Sequence, residues 1–217
     1  MKRLLALASA VLAIAASAAP AQAALITITF EGQANTIYGS PITRSGFDIG
    51  NVAGDEQHFH EIDSTAFPGF VPNNGTGVLY NDRDTRIFFT PNAGAGFSVF
   101  TLNSIDVATD LNGGLGGSTS LLVQGFLNNV PTGVINVPLN QGGAFTNVNG
   151  LSLGIVDRVV FNGLPTATGN GGFTLDNATL DNAPVITPVP EPATLAVFGT
   201  LAAGALGLRR RLKPATA

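Results

Sequence analysis

Cysteine is missing from this 217-residue chain, and so is tryptophan. Without cysteine the protein has no thiol nucleophile, no cysteine-bound zinc site and no disulfide framework. Charged residues are also scarce, at 11% of the chain against about 25% in an average soluble protein. Together with 27 glycines, this scarcity argues against a helical bundle, in which Ala, Glu, Lys, Leu and Arg dominate. The composition favours a glycine-rich all-β protein.

Basic residues are almost missing from the middle of the chain. Residues 24–187 contain no lysine and only four arginines, against thirteen acidic residues, which gives a formal charge of −9. Such a segment is repelled by nucleic acid and by anionic lipid, and it can attract divalent cations. We therefore exclude a nucleic-acid-binding function.

The first 23 residues have the three parts of a secretory signal peptide. The pair Lys2-Arg3 supplies positive charge, and Leu4 to Ala16 is almost wholly apolar. Ala21 and Ala23 then form the small-x-small cleavage signature, so we expect signal peptidase to cut after Ala23. The mature protein is expected outside the cytoplasm, where disulfides would be permitted.

A second apolar run, residues 193–208, is uncharged and is followed at once by Arg209, Arg210 and Arg211. We predict a short transmembrane helix here, whose basic end stays in the cytoplasm. As a helix it would be about 24 Å long, less than a hydrocarbon core of roughly 30 Å. Pro190-Glu191-Pro192 precedes it, and two prolines impose an extended, exposed peptide.

This ending resembles the PEP-CTERM sorting signal of Gram-negative bacteria. In that family a Pro-Glu-Pro motif, a short transmembrane helix and an arginine-rich tail are recognised by the membrane protease exosortase. Pro190, Glu191 and Pro192 match the motif, and Arg209, Arg210 and Arg211 match the tail. The resemblance implies transient anchoring in the inner membrane and then cell-surface display or release, commonly in exopolysaccharide-producing, biofilm-forming bacteria.

Between the two ends, short runs rich in Val, Ile, Phe and Thr alternate with glycine- and asparagine-rich turns. Residues 26–30 alternate apolar and polar side chains, as a half-buried strand does. Further strands are predicted at 86–90, 97–102, 104–108, 121–126, 133–137, 156–161 and 173–180. We predict an all-β fold, a β-sandwich or jelly roll, over residues 24–181. A linker at 182–188 and the sorting signal at 189–213 follow it.

The strand pattern also resembles jelly-roll modules of the galactose-binding and carbohydrate-binding type. The segments that carry this resemblance are 28–32, 97–107, 122–126, 157–161 and 172–177. It implies that the first and last strands run side by side. Glu31 and Asp176, with backbone oxygens, would then form the structural calcium site of that family, since oxygen ligands suit Ca²⁺. The alternative is that both carboxylates only cap turns.

His58 and His60 are the only two histidines, and on a strand that spacing directs both imidazoles to one face. The pair is compatible with zinc, copper or iron, and Glu56 could add a carboxylate. A metal-dependent enzyme is therefore one interpretation, and an acidic, solvated strand edge is the other.

Tyr80, Asp82 and Arg83 form the third candidate site, because alternating charges beside a tyrosine could hydrogen-bond sugar hydroxyls. The missing tryptophan removes the usual aromatic platform for a sugar ring. The alternative is a solvated turn with weak surface ion pairs.

Signatures of two common catalytic sites are missing: there is no phosphate-binding Gly-Lys-Ser/Thr loop and no His-Glu-x-x-His helix. We predict an exported, exosortase-sorted, non-catalytic surface or matrix protein that interacts with exopolysaccharide, with calcium as its one expected cofactor. The alternatives are a metal-dependent enzyme at His58 and His60 and a structural matrix protein without a discrete ligand.

Overall fold

The computed structural model describes residues 24–31, 36–39, 41–53, 55, 59–67, 69, 71–81, 86–111, 117–165 and 171–182. Several predicted features lie outside these residues: Ala21 and Ala23, Pro190 to Pro192, Arg209 to Arg211, the helix at 193–208, His58, Asp82 and Arg83. Within the described part of the chain, no helix has the length and apolar character needed to cross a membrane.

Thirteen strands are found within these residues, and they form two antiparallel sheets. The strands are β1 (Ala24–Ile28), β2 (Thr36–Tyr38), β3 (Ile42–Arg44), β4 (Phe47–Asn51), β5 (Phe59–Asp63), β6 (Gly77–Asn81), β7 (Arg86–Pro91), β8 (Phe100–Thr109), β9 (Ser118–Leu127), β10 (Val130–Pro138), β11 (Thr146–Asn149), β12 (Arg158–Pro165) and β13 (Phe173–Asn182).

The two sheets have interleaved connections. A seven-stranded sheet has the order β11-β8-β13-β6-β5-β2, with β1 also paired to β13. A six-stranded sheet has the order β10-β9-β12-β7-β4-β3. From β8 onward the chain passes repeatedly from one sheet to the other, as in jelly rolls. The predicted all-β sandwich is confirmed, and the first and last strands are neighbours.

Phenylalanine rings fill the space between the sheets. Phe47 of the six-stranded sheet meets Phe100 of the seven-stranded sheet edge to face, with ring centroids 4.9 Å apart. Phe89 and Phe161 pack in the same manner at 4.9 Å. All four side chains are fully buried, and each contributes about 1.5–3 kcal/mol through removal of apolar surface from water.

A pair of bulges interrupts the alternation of the two central strands of the seven-stranded sheet. Between Asp176 and Leu180 the register of β13 against β8 shifts twice. Asn177 adopts φ 46° there, a left-handed conformation that asparagine tolerates better than most residues. Strands predicted separately at 97–102 and 104–108 are therefore one continuous strand, β8.

One edge of the sandwich is joined by an ion pair. Glu61 of β5 points between the sheets and is fully buried. Arg44 of β3 donates to it twice, from Nε to Oε1 at 3.0 Å and from Nη2 to Oε2 at 2.5 Å. The Tyr38 hydroxyl donates to Oε2 at 2.9 Å. Because β3 and β5 belong to different sheets, this contact links the two layers.

Candidate functional site: the groove of the six-stranded sheet

The outer face of the six-stranded sheet holds a cavity of about 590 Å³. Strand alternation places the even-numbered side chains of β7, β9 and β12 on this face, opposite the core. The cavity is lined chiefly by those side chains, among them Arg86, Phe88, Gln124, Phe126, Arg158 and Asn162. We call this cavity the groove.

Strand register brings the groove residues together from distant parts of the chain. Val160 lies between Phe88 on β7 and Gln124 on β9. One row away, Arg158 lies opposite Phe126. A Cβ at residue 50 would come 3.1 Å from the Phe88 ring and 2.9 Å from Pro41. Glycine at position 50 therefore leaves room for the ring to lie in the groove.

Arg86 lines the groove and is paired with the carboxylate of Asp55, which is not itself a lining residue. Its Nε and Nη2 donate to Asp55 at 3.0 and 2.9 Å, and its backbone N–H donates to the same carboxylate at 2.8 Å. These hydrogen bonds lower the pKa of Asp55 below its ordinary value and raise the pKa of Arg86. Both groups therefore stay charged at neutral pH and neutralise each other.

Arg158 has a different environment. Its guanidinium lies over the Phe126 ring, 4.7 Å from the centroid, a cation–π geometry. Its Nε is buried and, within the described residues, has no hydrogen-bond partner. Arg158 also lines a neighbouring cavity of about 390 Å³ with Asn92, Asn129 and Asp157.

Chemically, the groove combines aromatic rings with planar hydrogen-bonding groups. Phe88 and Phe126 offer ring surface, while Gln124 and Asn162 can both donate and accept hydrogen bonds. Among the groove-lining residues that the structure describes, none is a carboxylate or an imidazole. The arrangement suits binding of a ligand with both apolar faces and hydroxyl groups.

The predicted calcium residues are brought together by the pairing of β1 with β13. Asp176 is fully buried and accepts hydrogen bonds from the Asn177 backbone N–H at 2.8 Å, Asn74 Nδ2 at 2.8 Å and the Thr76 hydroxyl at 3.1 Å. Burial raises the pKa of Asp176, the nearby Glu31 carboxylate raises it further, and these hydrogen bonds oppose the rise. Glu31 is exposed, and its Oε2 accepts the Gly77 N–H at 3.3 Å.

The fit of these residues to Ca²⁺ is partial. A divalent cation would offset the repulsion between the two carboxylates and the cost of burying Asp176. Among the described residues, no three His, Cys, Asp or Glu side chains lie close enough together to hold one metal ion. A cation held by Glu31 and Asp176 would thus need backbone, hydroxyl or amide oxygens to complete its coordination.

Of the other two predicted sites, the described residues His60 and Tyr80 lie on the outer face of the seven-stranded sheet. His60 of β5 packs against Tyr80, with ring centroids 5.4 Å apart. Tyr80 is only 6% exposed, and its hydroxyl donates to the buried Asp110 at 3.3 Å. The Tyr80 ring is therefore not presented to a ligand in solution. Its proposed companions Asp82 and Arg83, like His58, lie outside the described residues.

Comparison with known families identifies one part of the chain. Residues 188–211 match the model of the PEP-CTERM protein-sorting motif. The chain carries this sorting motif. It implies a secreted, exosortase-sorted surface protein with a C-terminal membrane anchor. A comparison with curated proteins found no match.

Among solved structures, the sorting-motif protein is similar to carbohydrate-binding modules. A family 29 module from Piromyces equi has 12% identity and a TM-score of 0.39, covering 79% of this chain and 98% of that chain. The family 32 module of C. perfringens NanJ, in complex with galactose, has 12% identity and a TM-score of 0.39, covering 64% of this chain and 98% of that chain. These likenesses concern the fold alone.

Proposed function

We propose that the sandwich domain binds a glycan chain, without catalysis, in the groove of the six-stranded sheet. The observation that carries this proposal is the groove itself, an open cavity of about 590 Å³ lined by two phenylalanines and several planar polar groups. Its volume lies in the range of about 300–1,000 Å³ that small-molecule sites occupy.

The chemistry of a sugar fits this lining. A pyranose ring has a C–H face that packs on an aromatic ring, and Phe88 and Phe126 take the part that tryptophan plays elsewhere. Its hydroxyl groups donate and accept hydrogen bonds, as do the side chains of Gln124 and Asn162. Because none of the described groove-lining residues carries a carboxylate, cleavage of a glycosidic bond by paired carboxylates is not part of this proposal.

The sorting motif supports a particular source for the glycan. A protein that is exported and then processed by signal peptidase and exosortase reaches the cell surface, where the producer's own exopolysaccharide is at high local concentration. We take that polymer to be the ligand and the extracellular matrix, or biofilm, to be the place of action. A structural matrix protein without a discrete ligand is the alternative.

The test is binding of the full-length chain, purified in mild detergent, to the extracted exopolysaccharide by isothermal titration calorimetry. Phe88→Ala and Phe126→Ala should each weaken binding about tenfold, because each removes one aromatic contact. Ile37→Ala is the matched control, since Ile37 is 64% exposed on the other sheet. Binding that is unchanged by both groove substitutions would overturn the proposal, and no binding at all would favour the structural alternative.

We also propose that Ca²⁺ binds at Glu31 and Asp176. A cation bound only by the folded state stabilises it by about 2.7 kcal/mol at a hundredfold excess over Kd. Adding Ca²⁺ to EDTA-treated protein should therefore raise the melting temperature, and the double variant Glu31→Gln with Asp176→Asn should not respond. An identical melting curve with and without Ca²⁺ would refute the site.

A further inference from the structure

The groove differs in charge from the domain around it. Residues 24–187 carry thirteen acidic residues and four arginines. Two of those arginines, Arg86 and Arg158, line the groove, whereas none of its described lining residues is acidic. In a domain of charge −9, this distribution makes the groove a local site for a negative group.

The two groove arginines are not equivalent. Arg86 forms a two-pronged ion pair with Asp55, so its charge is already compensated. For Arg158, no carboxylate lies within salt-bridge distance among the residues that the structure describes, and its buried Nε has no hydrogen-bond partner there. The charge of Arg158 is thus available to a ligand.

The position of the Arg158 guanidinium is fixed by its surroundings. The Phe126 ring supports one face of the guanidinium at 4.7 Å, and the buried Nε keeps the stem against the sheet. A guanidinium held in this manner presents a planar fork of donors, which matches the two oxygens of a carboxylate. A buried donor without an acceptor is also unusual, and it marks a place where a ligand can supply one.

Arg158 stands between the groove and the neighbouring cavity, since it lines both. A polymer longer than the groove would pass the guanidinium. Asp157 lines only the neighbouring cavity, where its carboxylate accepts the Asn128 N–H at 2.5 Å. Because Asp157 repels a negative group on its side, a ligand carboxylate is favoured on the groove side of Arg158.

From these observations we infer that the groove selects glycan chains that carry carboxylates, of the uronic acid type, and that Arg158 binds the carboxylate. This inference rests on the proposed glycan-binding function and adds the chemical class of the ligand. The negative charge of the rest of the domain does not oppose it at close range, because charges beyond about 8 Å are largely screened at physiological ionic strength.

Two matched pairs of probes test the inference: hexamers of β-1,4-mannuronate against mannohexaose, and of β-1,4-glucuronate against cellohexaose. The members of a pair differ only at C6, which is a carboxylate or a hydroxymethyl group. The full-length protein should bind at least one acidic hexamer about tenfold more tightly than its neutral partner. The preference should shrink as salt rises from about 50 to about 500 mM.

Variants of Arg158 separate charge from shape. Arg158→Gln keeps a planar hydrogen-bonding group without charge, so it should abolish the preference by weakening the binding of the acidic hexamer much more than the binding of the neutral one. Arg158→Lys keeps the charge without the fork and should give an intermediate preference. Equal binding of both members by the natural protein, or a preference that survives Arg158→Gln, overturns the inference while glycan binding stands. Binding of none of the four hexamers counts against the proposed function itself.

Discussion

The two outer faces of the sandwich are built by the same alternation of side chains, yet within the described residues they differ in how they are covered. On the seven-stranded sheet, Tyr80 and Val78 are covered by Val71 and Phe145, which form a second small apolar cluster with Ile62. On the six-stranded sheet, the described residues leave the groove uncovered, and Phe88 and Phe126 remain partly exposed.

This difference suggests a division of roles within one fold: the covered face contributes to stability, and the groove is available for ligand binding. An aromatic ring under a loop stabilises the fold because its apolar surface is removed from water on folding. A ring in an open groove keeps apolar surface in contact with water, and a bound ligand can cover that surface. The arginines differ in the same way. Arg44 forms an ion pair with the buried Glu61, whereas Arg158 has no carboxylate partner within the described residues. The following experiments test how complete the separation is.

The largest effect is expected on the covered face. Tyr80→Ala should lower the free energy of unfolding by about 3 kcal/mol or more, because it empties a buried site and removes the donor to Asp110. Phe88→Ala should lower it by under about 1 kcal/mol and reduce glycan binding instead. Urea titrations of both variants, followed by circular dichroism, measure the two values.

Equal destabilisation by Tyr80→Ala and Phe88→Ala would show that the open face also belongs to the folding core. Tyr80→Phe serves as a finer control, because it keeps the ring and removes only the hydroxyl that donates to Asp110. Tyr80→Phe should lower the free energy of unfolding by about 1–3 kcal/mol, the penalty for a buried acceptor that loses one donor.

Sequence patterns could predict the sandwich but not its central strands in full. The runs at 86–90 and 121–126 became strands because each keeps one apolar phase against the core. The run at 173–180 changes phase, since its core side chains pass from Phe173 and Leu175 to Ala178 and Leu180. In β8 the apolar phase passes from Leu102 to Ile105, a spacing of three that looks like a strand break. The pairing of β13 with β8 shifts register around Asn177, at the same level as this change of phase. The pattern of β8 alone does not predict a matching irregularity in a strand so distant in sequence.

The candidate site shows a similar limit. Phe88, Phe126 and Arg158 belong to three strands, and only their pairing register makes them neighbours. The alternation of β7, β9 and β12 could have shown that these side chains face away from the core. It could not show that Tyr80, which also faces outward from its sheet, lies under Val71 and Phe145. Covering by loops depends on tertiary contacts that strand periodicity does not encode.

A second experiment contrasts the two arginines. Arg44→Met should lower the free energy of unfolding by about 3 kcal/mol, because it leaves Glu61 buried without its cation. Arg158→Gln should change stability by under about 1 kcal/mol, since it loses only the contact with the Phe126 ring. Thermal unfolding of both variants gives the comparison. Similar losses would mean that Arg158 is a structural residue.

The double variant Arg44→Met with Glu61→Leu controls for the buried charge. Replacing both members of a buried ion pair by apolar residues is often neutral or stabilising. It should therefore recover most of the stability that Arg44→Met loses. A double variant as unstable as the single one would show that the link between β3 and β5 depends on the ion pair itself.

The smallest effect concerns Asp55, which compensates Arg86 at the groove wall. Since the folded-state pKa of Asp55 lies below its ordinary value of 3.8, its stabilisation is complete above the unfolded pKa and disappears as the pH falls through the folded pKa. Asp55→Asn should cost under about 1 kcal/mol at neutral pH, because the Arg86 side chain is 43% exposed. Melting curves of the two proteins should converge as the pH falls through the folded-state pKa of Asp55. A gap that widens toward acid would contradict the pairing, and tighter binding of acidic hexamers by Asp55→Asn would show that Arg86, once released, behaves as Arg158 does.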